Sequence, residues 1–172
     1  AGGGASCASA LSSANNAPTI NAGNDFTIPA NTPFVLTANG TDPDPLTYCW
    51  EQFDLGGAVP AQPTGNETNG PLFRSLPPTT SPERYFPNLP DLVAAGSAPW
   101  EILPRVARSM RFVVSLRDFN GAGYGCTVQD QVDLTVVNST GFTVTAPTGG
   151  TAWQAGSSQT VSWNVANTGN GT

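Results

Sequence analysis

Apolar residues in this chain recur mostly at every second position, in short runs cut by Gly, Pro, Asn and Asp. "FVLT" at 34–37 places Phe34 and Leu36 on one face, with Val35 and Thr37 on the other. "LTYCWEQF" alternates Leu46, Tyr48 and Trp50; "RSMRFVVSLRD" alternates Met110, Phe112, Val114 and Leu116; "CTVQDQVDLTVV" keeps Val128, Val132, Leu134 and Val136 in phase. A period of two is the strand pattern, because successive side chains of an extended chain point to opposite faces. "TINAGNDFTIP" fits two more short strands around a turn at Gly23-Asn24-Asp25. The aromatic segment 46–53 is expected to be a central strand. The two long strands flanking the glycine-rich "FNGAGYG" are expected to form a hairpin.

Between 54 and 104 the alternation lapses. This stretch is expected to be a long ordered insertion packed by Phe73, Tyr85, Phe86, Leu92, Trp100 and Ile102. The prolines of "LFRSLPPTTSPERYFP" argue against an interior strand, since Pro cannot donate to a ladder. "LPDLVAAG" fits a short helix or turn, with Pro90 near its start and Gly96 at its end. Residues 1–17, rich in Gly, Ala and Ser, read as a linker or arm. Six or seven short strands with turn-rich joints predict an all-β, antiparallel β-sandwich over 18–138.

The segment 139–172 opens something further. Phe142, Val144, Trp153, Val161, Trp163 and Val165 are too apolar for a solvated tail, yet about thirty residues cannot close a sandwich. Either this is an incomplete second domain, or its strands add to a sheet of a neighbouring subunit. Repeated head to tail, that contact builds an open fibre. Folding back over an edge of the same sandwich is the weaker alternative. Trp153 and Trp163 as sugar-stacking platforms are less favoured than core positions.

Composition narrows the function. Hydrophobic residues make up 38% and charged residues 10%, which supports a packed core rather than a disordered polyelectrolyte. The net charge is −6 and the chain has no lysine, so neither nucleic acid nor anionic membrane is an expected partner. No apolar run approaches the ~20 residues of a membrane span. The start, "AGGGASCASALSS", lacks a signal-peptide pattern. No histidine is present, which removes Ser-His-Asp and Cys-His chemistry and the commonest metal ligand. No carboxylate pair is marked for glycosidase work. The expectation is a protein that is not an enzyme and has no cofactor.

Three cysteines, Cys7, Cys49 and Cys126, in a Gly/Thr/Asn-rich β-protein fit an extracellular setting with one disulfide and one free thiol. Alternation points Cys49 away from the core face, while Cys126 is in phase with the inward Val128. Cys7–Cys49 is therefore favoured, with Cys49–Cys126 as the alternative. Asp42, Asp44 and Asp118 flank turns at one end of the predicted sandwich, and their oxygens would suit calcium. An Asp at a turn more often bonds its own backbone, so no metal is assigned. Four sequons, at Asn39, Asn66, Asn138 and Asn170, fall in predicted turns or loops and are glycosylation candidates, and "PPTTSP" is a candidate O-glycan patch. Arg74, Arg84, Arg105, Arg108, Arg111 and Arg117 are expected to form ordinary ion pairs rather than a binding set.

"NAGNDFTIPANTPFVLTANGTDPDPLTYCWEQ" together with "RFVVSLRDFNGAGYGCTVQDQVDLTVV" resembles a PKD-type or other immunoglobulin-like module of bacterial secreted proteins. "LTYCWEQFDLG", "PLFRSLPPTTSPERYFPNLPDL" and "WEILPR" resemble the region after the catalytic domain of bacterial reprolysin-like zinc metalloproteases. "FTVTAPTGGTAWQAGSSQTVSWNV" is similar to the start of the next β-domain of the same proteins. The resemblance spans about residues 18–165 and implies an immunoglobulin-like (PKD-like) accessory sandwich. It carries no protease chemistry, because HExxH cannot occur in a chain without histidine. Two functions follow as expectations: a self-assembling subunit of a surface fibre, or a spacer in a secreted metalloprotease. The partner is accordingly another copy or a neighbouring domain.

Overall fold

The computed structural model describes residues 15–56, 62–119 and 125–165. Strand β1 spans Thr19–Asn21, β2 Phe26–Pro29, β3 Phe34–Thr37, β4 Asn39–Thr41 and β5 Leu46–Gln52. Strand β6 (Glu83–Phe86) precedes helix α1 (Leu89–Ala95), and β7 (Arg108–Asp118), β8 (Thr127–Val137), β9 (Thr143–Ala146) and β10 (Ser162–Asn164) follow. The protein is mostly β. Strands β7 and β8 are the longest because their alternation is sustained, and they pair antiparallel as the sequence predicts. Their inward residues Met110, Phe112, Val114, Leu116, Val132, Leu134 and Val136 are almost wholly buried.

The main sheet has the order β2-β8-β7-β5. Two expectations change here. First, β2 runs parallel to β8, so the fold is not purely antiparallel. Parallel neighbours need a long crossover, and the chain between β2 and β8 is ample for one. Second, β5 is an edge strand, and the central strands are β7 and β8. Alternating aromatic residues report one buried face, not the number of hydrogen-bonded neighbours. No strand pairs along the outer edge of β5 among the described residues; a bridge stands there, in which Tyr48 and Thr79 exchange N–H···O bonds of 2.7 and 2.9 Å.

A two-stranded ribbon of β3 and β6 faces this sheet through an aromatic layer. Phe34 and Phe86 stack with centroids 5.0 Å apart, and Phe112 meets Phe86 edge-on at 4.8 Å. Phe73 closes the layer at 5.2 Å from Phe86. Each such ring, fully buried, stabilises the fold by roughly 1.5–3 kcal/mol. A second ribbon, β1 with β4, closes one end. Gly40 is needed there: a Cβ at this position would lie 2.7 Å from the Tyr48 hydroxyl and 2.8 Å from Leu116.

The insertion is less irregular than expected, since it supplies β6 and α1. Phe73 and Phe86 join the core, and Leu92 and Ile102 are half-buried. Tyr85 and Trp100 do not pack the insertion, being 45% and 47% exposed. Tyr85 is one step out of phase with the inward Arg84 and Phe86, so strand alternation turns it outward. Helix α1 has Pro in its first turn and ends at Gly96, whose left-handed φ of 67° lets its N–H reach the Leu92 carbonyl at 2.9 Å. Strand β6 lies between Pro82 and Pro87 and, among the described residues, pairs on one side only, in keeping with the exclusion of proline from sheet interiors. The arm proposed at 1–17 lies, up to residue 14, outside the described residues.

Candidate functional site

The structure brings Asp42, Asp44 and Asp118 together: one carboxylate oxygen from each lies within 4.8 Å of the others. Asp118 ends β7 in phase with Leu116 and Val114, so the strand carries it inward, fully buried. The other two come from the turn between β4 and β5. Antiparallel pairing of Leu46 with Asp118 puts that turn beside the end of β7. Among the described residues no arginine pairs with the three, and oxygen-only ligands suit a hard cation such as calcium rather than zinc. Each of the first and last also has an ordinary structural role. Asp42 accepts the Asp44 N–H at 2.8 Å. Asp118 accepts the Cys126 N–H on one oxygen and the Asn15 side-chain amide at 2.8 Å on the other.

Cys49 and Cys126 are not joined to each other in a disulfide. They lie on opposite sides of β7, Cys49 in β5 opposite Ser115 and Cys126 just before β8 at the level of Asp118. Two strand spacings across and three residues along amount to about 14 Å, well beyond the ~7 Å Cα separation a disulfide tolerates. The alternative Cys49–Cys126 bridge is therefore not formed. Cys7 lies outside the described residues, and with it the favoured Cys7–Cys49 pairing. Cys49 does face away from the core, half-buried, and its Sγ sits 3.5 Å from the Leu76 carbonyl. Burial first, and Glu51 second, push its pKa up, while Arg84 works the other way.

Asn66 and Asn138 are exposed in loops; Asn39 is exposed but lies in strand β4 rather than a turn. Asn138 is engaged, its side-chain oxygen accepting the Ala107 N–H at 2.9 Å. Asn170 lies outside the described residues. In the "PPTTSP" stretch Thr79 forms the bridge to β5, and its hydroxyl donates to the Ser81 carbonyl at 3.2 Å.

Four of the six arginines form ion pairs: Arg74 with Asp91, Arg84 with Glu101, Arg108 with Asp54 and Arg111 with Asp133. Arg84–Glu101, at 2.6 Å, is an ion pair as expected of Arg84, but its burial was not foreseen from the sequence. Arg84 also donates to the Trp50 carbonyl and, at 2.6 Å, to the Arg74 carbonyl, and its guanidinium lies 4.5 Å over the Phe86 ring. It thus ties β6 to the outer edge of β5. Its inward place in "ERYF", between outward Glu83 and Tyr85, was the available signal. Beside this tie lies a cavity of about 360 Å³, lined mainly by apolar atoms of residues that include Trp50, Leu76, Pro77, Tyr85 and Leu89.

The C-terminal residues form a hairpin of β9 and β10, with Trp163 opposite Val144. Among the described residues neither strand is joined to another named strand. Phe142, Val144, Trp153, Val161, Trp163 and Val165 are 40–53% exposed, so the hairpin does not fold back over the sandwich as a cover for its edge.

Scans against protein-family models, the curated proteins and the solved structures returned no match for this chain. No helix among the described residues is long and apolar enough to cross a membrane.

Proposed function

We propose that this chain is a non-catalytic extracellular structural module that associates with its own copies through the C-terminal hairpin, as a subunit of a fibre. One observation carries the reading: six large apolar side chains sit 40–53% exposed on and around a two-stranded hairpin whose sheet has no third strand among the described residues. No charged side chain follows Asp133, so burial of the hairpin against a partner desolvates no ionised side chain. A hairpin alone is marginal in water, and each large apolar side chain it buries is worth about 1.5–3 kcal/mol. The immunoglobulin-like character of the sandwich belongs to the same reading and rests on the sequence resemblance.

The spacer reading, in which the hairpin opens a further domain of a secreted metalloprotease, draws support from the position of β9–β10 as a separate two-stranded sheet after the connection 138–142. Sedimentation velocity over a range of concentrations separates the two. The intact chain is expected to form concentration-dependent oligomers, and a chain lacking 142–172 to stay monomeric. An intact chain that remains monomeric at high concentration overturns self-association and favours the spacer.

A further inference from the structure

We infer that the outer edge of β6, with the cavity beside it, receives strand β9 of a second copy. This rests on the self-association reading and names the surface that accepts the hairpin. The register of β3 with β6 fixes which backbone groups are free. Ala38 donates to the Pro82 carbonyl at 3.1 Å, so Leu36–Arg84 and Phe34–Phe86 are the hydrogen-bonded pairs of this ladder. Glu83 and Tyr85 then point their N–H and C=O away from β3. The hydroxyl of Ser81 takes up those of Glu83, receiving its N–H at 3.2 Å and donating to its carbonyl at 3.4 Å. No strand among the described residues takes up those of Tyr85.

The occupant is argued from length, pattern and charge. Pro82 and Pro87 limit the acceptor to the four residues Glu83–Phe86, and β9 is four residues, Thr143–Ala146, closed by Pro147. A strand laid on this edge directs alternate side chains toward the cavity. In the β9 segment those are Phe142 and Val144, both exposed, with Trp163 directly across from Val144. The cavity lining of Trp50, Leu76, Pro77 and Leu89 is apolar in kind. Exposed edges ordinarily carry a charge or an interior proline that discourages pairing. "TVTA" has neither. Hairpin and acceptor are different surfaces of the molecule, so the contact is heterologous and, where its rotation does not close a ring, extends into an open chain.

The test uses variants of the full chain, read by sedimentation velocity with circular dichroism as a folding control. Tyr85→Pro removes the outward N–H without breaking a ladder bond to β3. Leu89→Glu places a charge at the cavity from a position that is 44% exposed and tolerant of it. Each is expected to weaken association by at least about tenfold, ~1.4 kcal/mol. Mixing Tyr85→Pro with the chain lacking 142–172 is expected to give a one-to-one pair and nothing longer, since one supplies the hairpin and the other the edge. If the two point variants assemble like the parent, or the mixture stays monomeric, the β6 acceptor is wrong while the hairpin reading stands. If the chain lacking 142–172 assembles like the parent, the hairpin reading itself falls. Association that disappears on removal of 1–14 instead identifies the N-terminal arm as the occupant and overturns the inference.

Discussion

The strand pair β7–β8 and the hairpin β9–β10 are built on the same alternation and end in opposite states. Phe112 is fully buried, whereas Trp163 is 53% exposed. Both sit opposite a valine, Val132 in one case and Val144 in the other. The difference is the second layer. Phe112 meets Phe34, Phe86 and Phe73 from the β3–β6 ribbon and the insertion. No such layer is present for Trp163 among the described residues. Alternation decides which side chains share a face; a facing layer decides whether that face leaves water.

The comparison breaks most visibly by truncating one ring on each side. Phe112→Ala should cost about 3–5 kcal/mol of stability, because it opens a cavity in a packed aromatic layer. Trp163→Ala should change monomer stability by less than about 0.5 kcal/mol, yet weaken association. Chemical denaturation of both variants checks this, and a large loss in Trp163→Ala would mean the hairpin is packed after all.

The buried tie across the sandwich comes next. Glu101→Ala leaves Arg84 buried without its partner and frees the Asn88 N–H, with an expected loss of about 3 kcal/mol. Replacing the half-buried Asp91, the partner of exposed Arg74, should cost no more than ~1 kcal/mol by the same measurement.

A smaller effect is expected at the acidic end. Asp118→Ala removes the acceptor for the Cys126 N–H and for Asn15, at about 1–3 kcal/mol. Hydrogen exchange at Cys126 should quicken while the centres of β7 and β8 stay protected. Uniform quickening would instead mean that Asp118 supports the whole sheet.

The smallest effect is in pH. The N–H of Thr64 first, and other local hydrogen bonds including the Gly65 N–H, hold the Glu67 carboxyl down at about 2. The folded state resists protonation more than the unfolded chain. The stabilisation from Glu67 is therefore complete above about pH 4.5 and fades as pH falls toward 2. The difference in melting temperature between the parent and Glu67→Gln should shrink over that interval. A constant difference removes Glu67 from the acid response.

Much of the fold was legible in single segments. Strands β3, β5, β7 and β8 declare their inward residues by phase, and α1 declares its end by Gly96. The convergence of Asp42, Asp44 and Asp118 was legible too, because turns before one strand and after its neighbour fall at the same end of a sheet. The edge position of β5, the parallel β2–β8 pair and the Arg84–Glu101 tie were not. Each depends on which segments lie side by side, and that is absent from local pattern.

The sequence by itself determined the all-β character, the inward faces, the lack of histidine chemistry and an apolar C-terminal segment without charge. Those follow from residue type and from the two-residue period of an extended chain, which need no partner. Only the tertiary structure decided the strand order, the separation of Cys49 from Cys126, and the one-sided pairing of β6. It also left the large apolar side chains of the C-terminal segment 40–53% exposed. These depend on contacts between residues far apart in the chain, whose energy comes from complementary layers meeting in space.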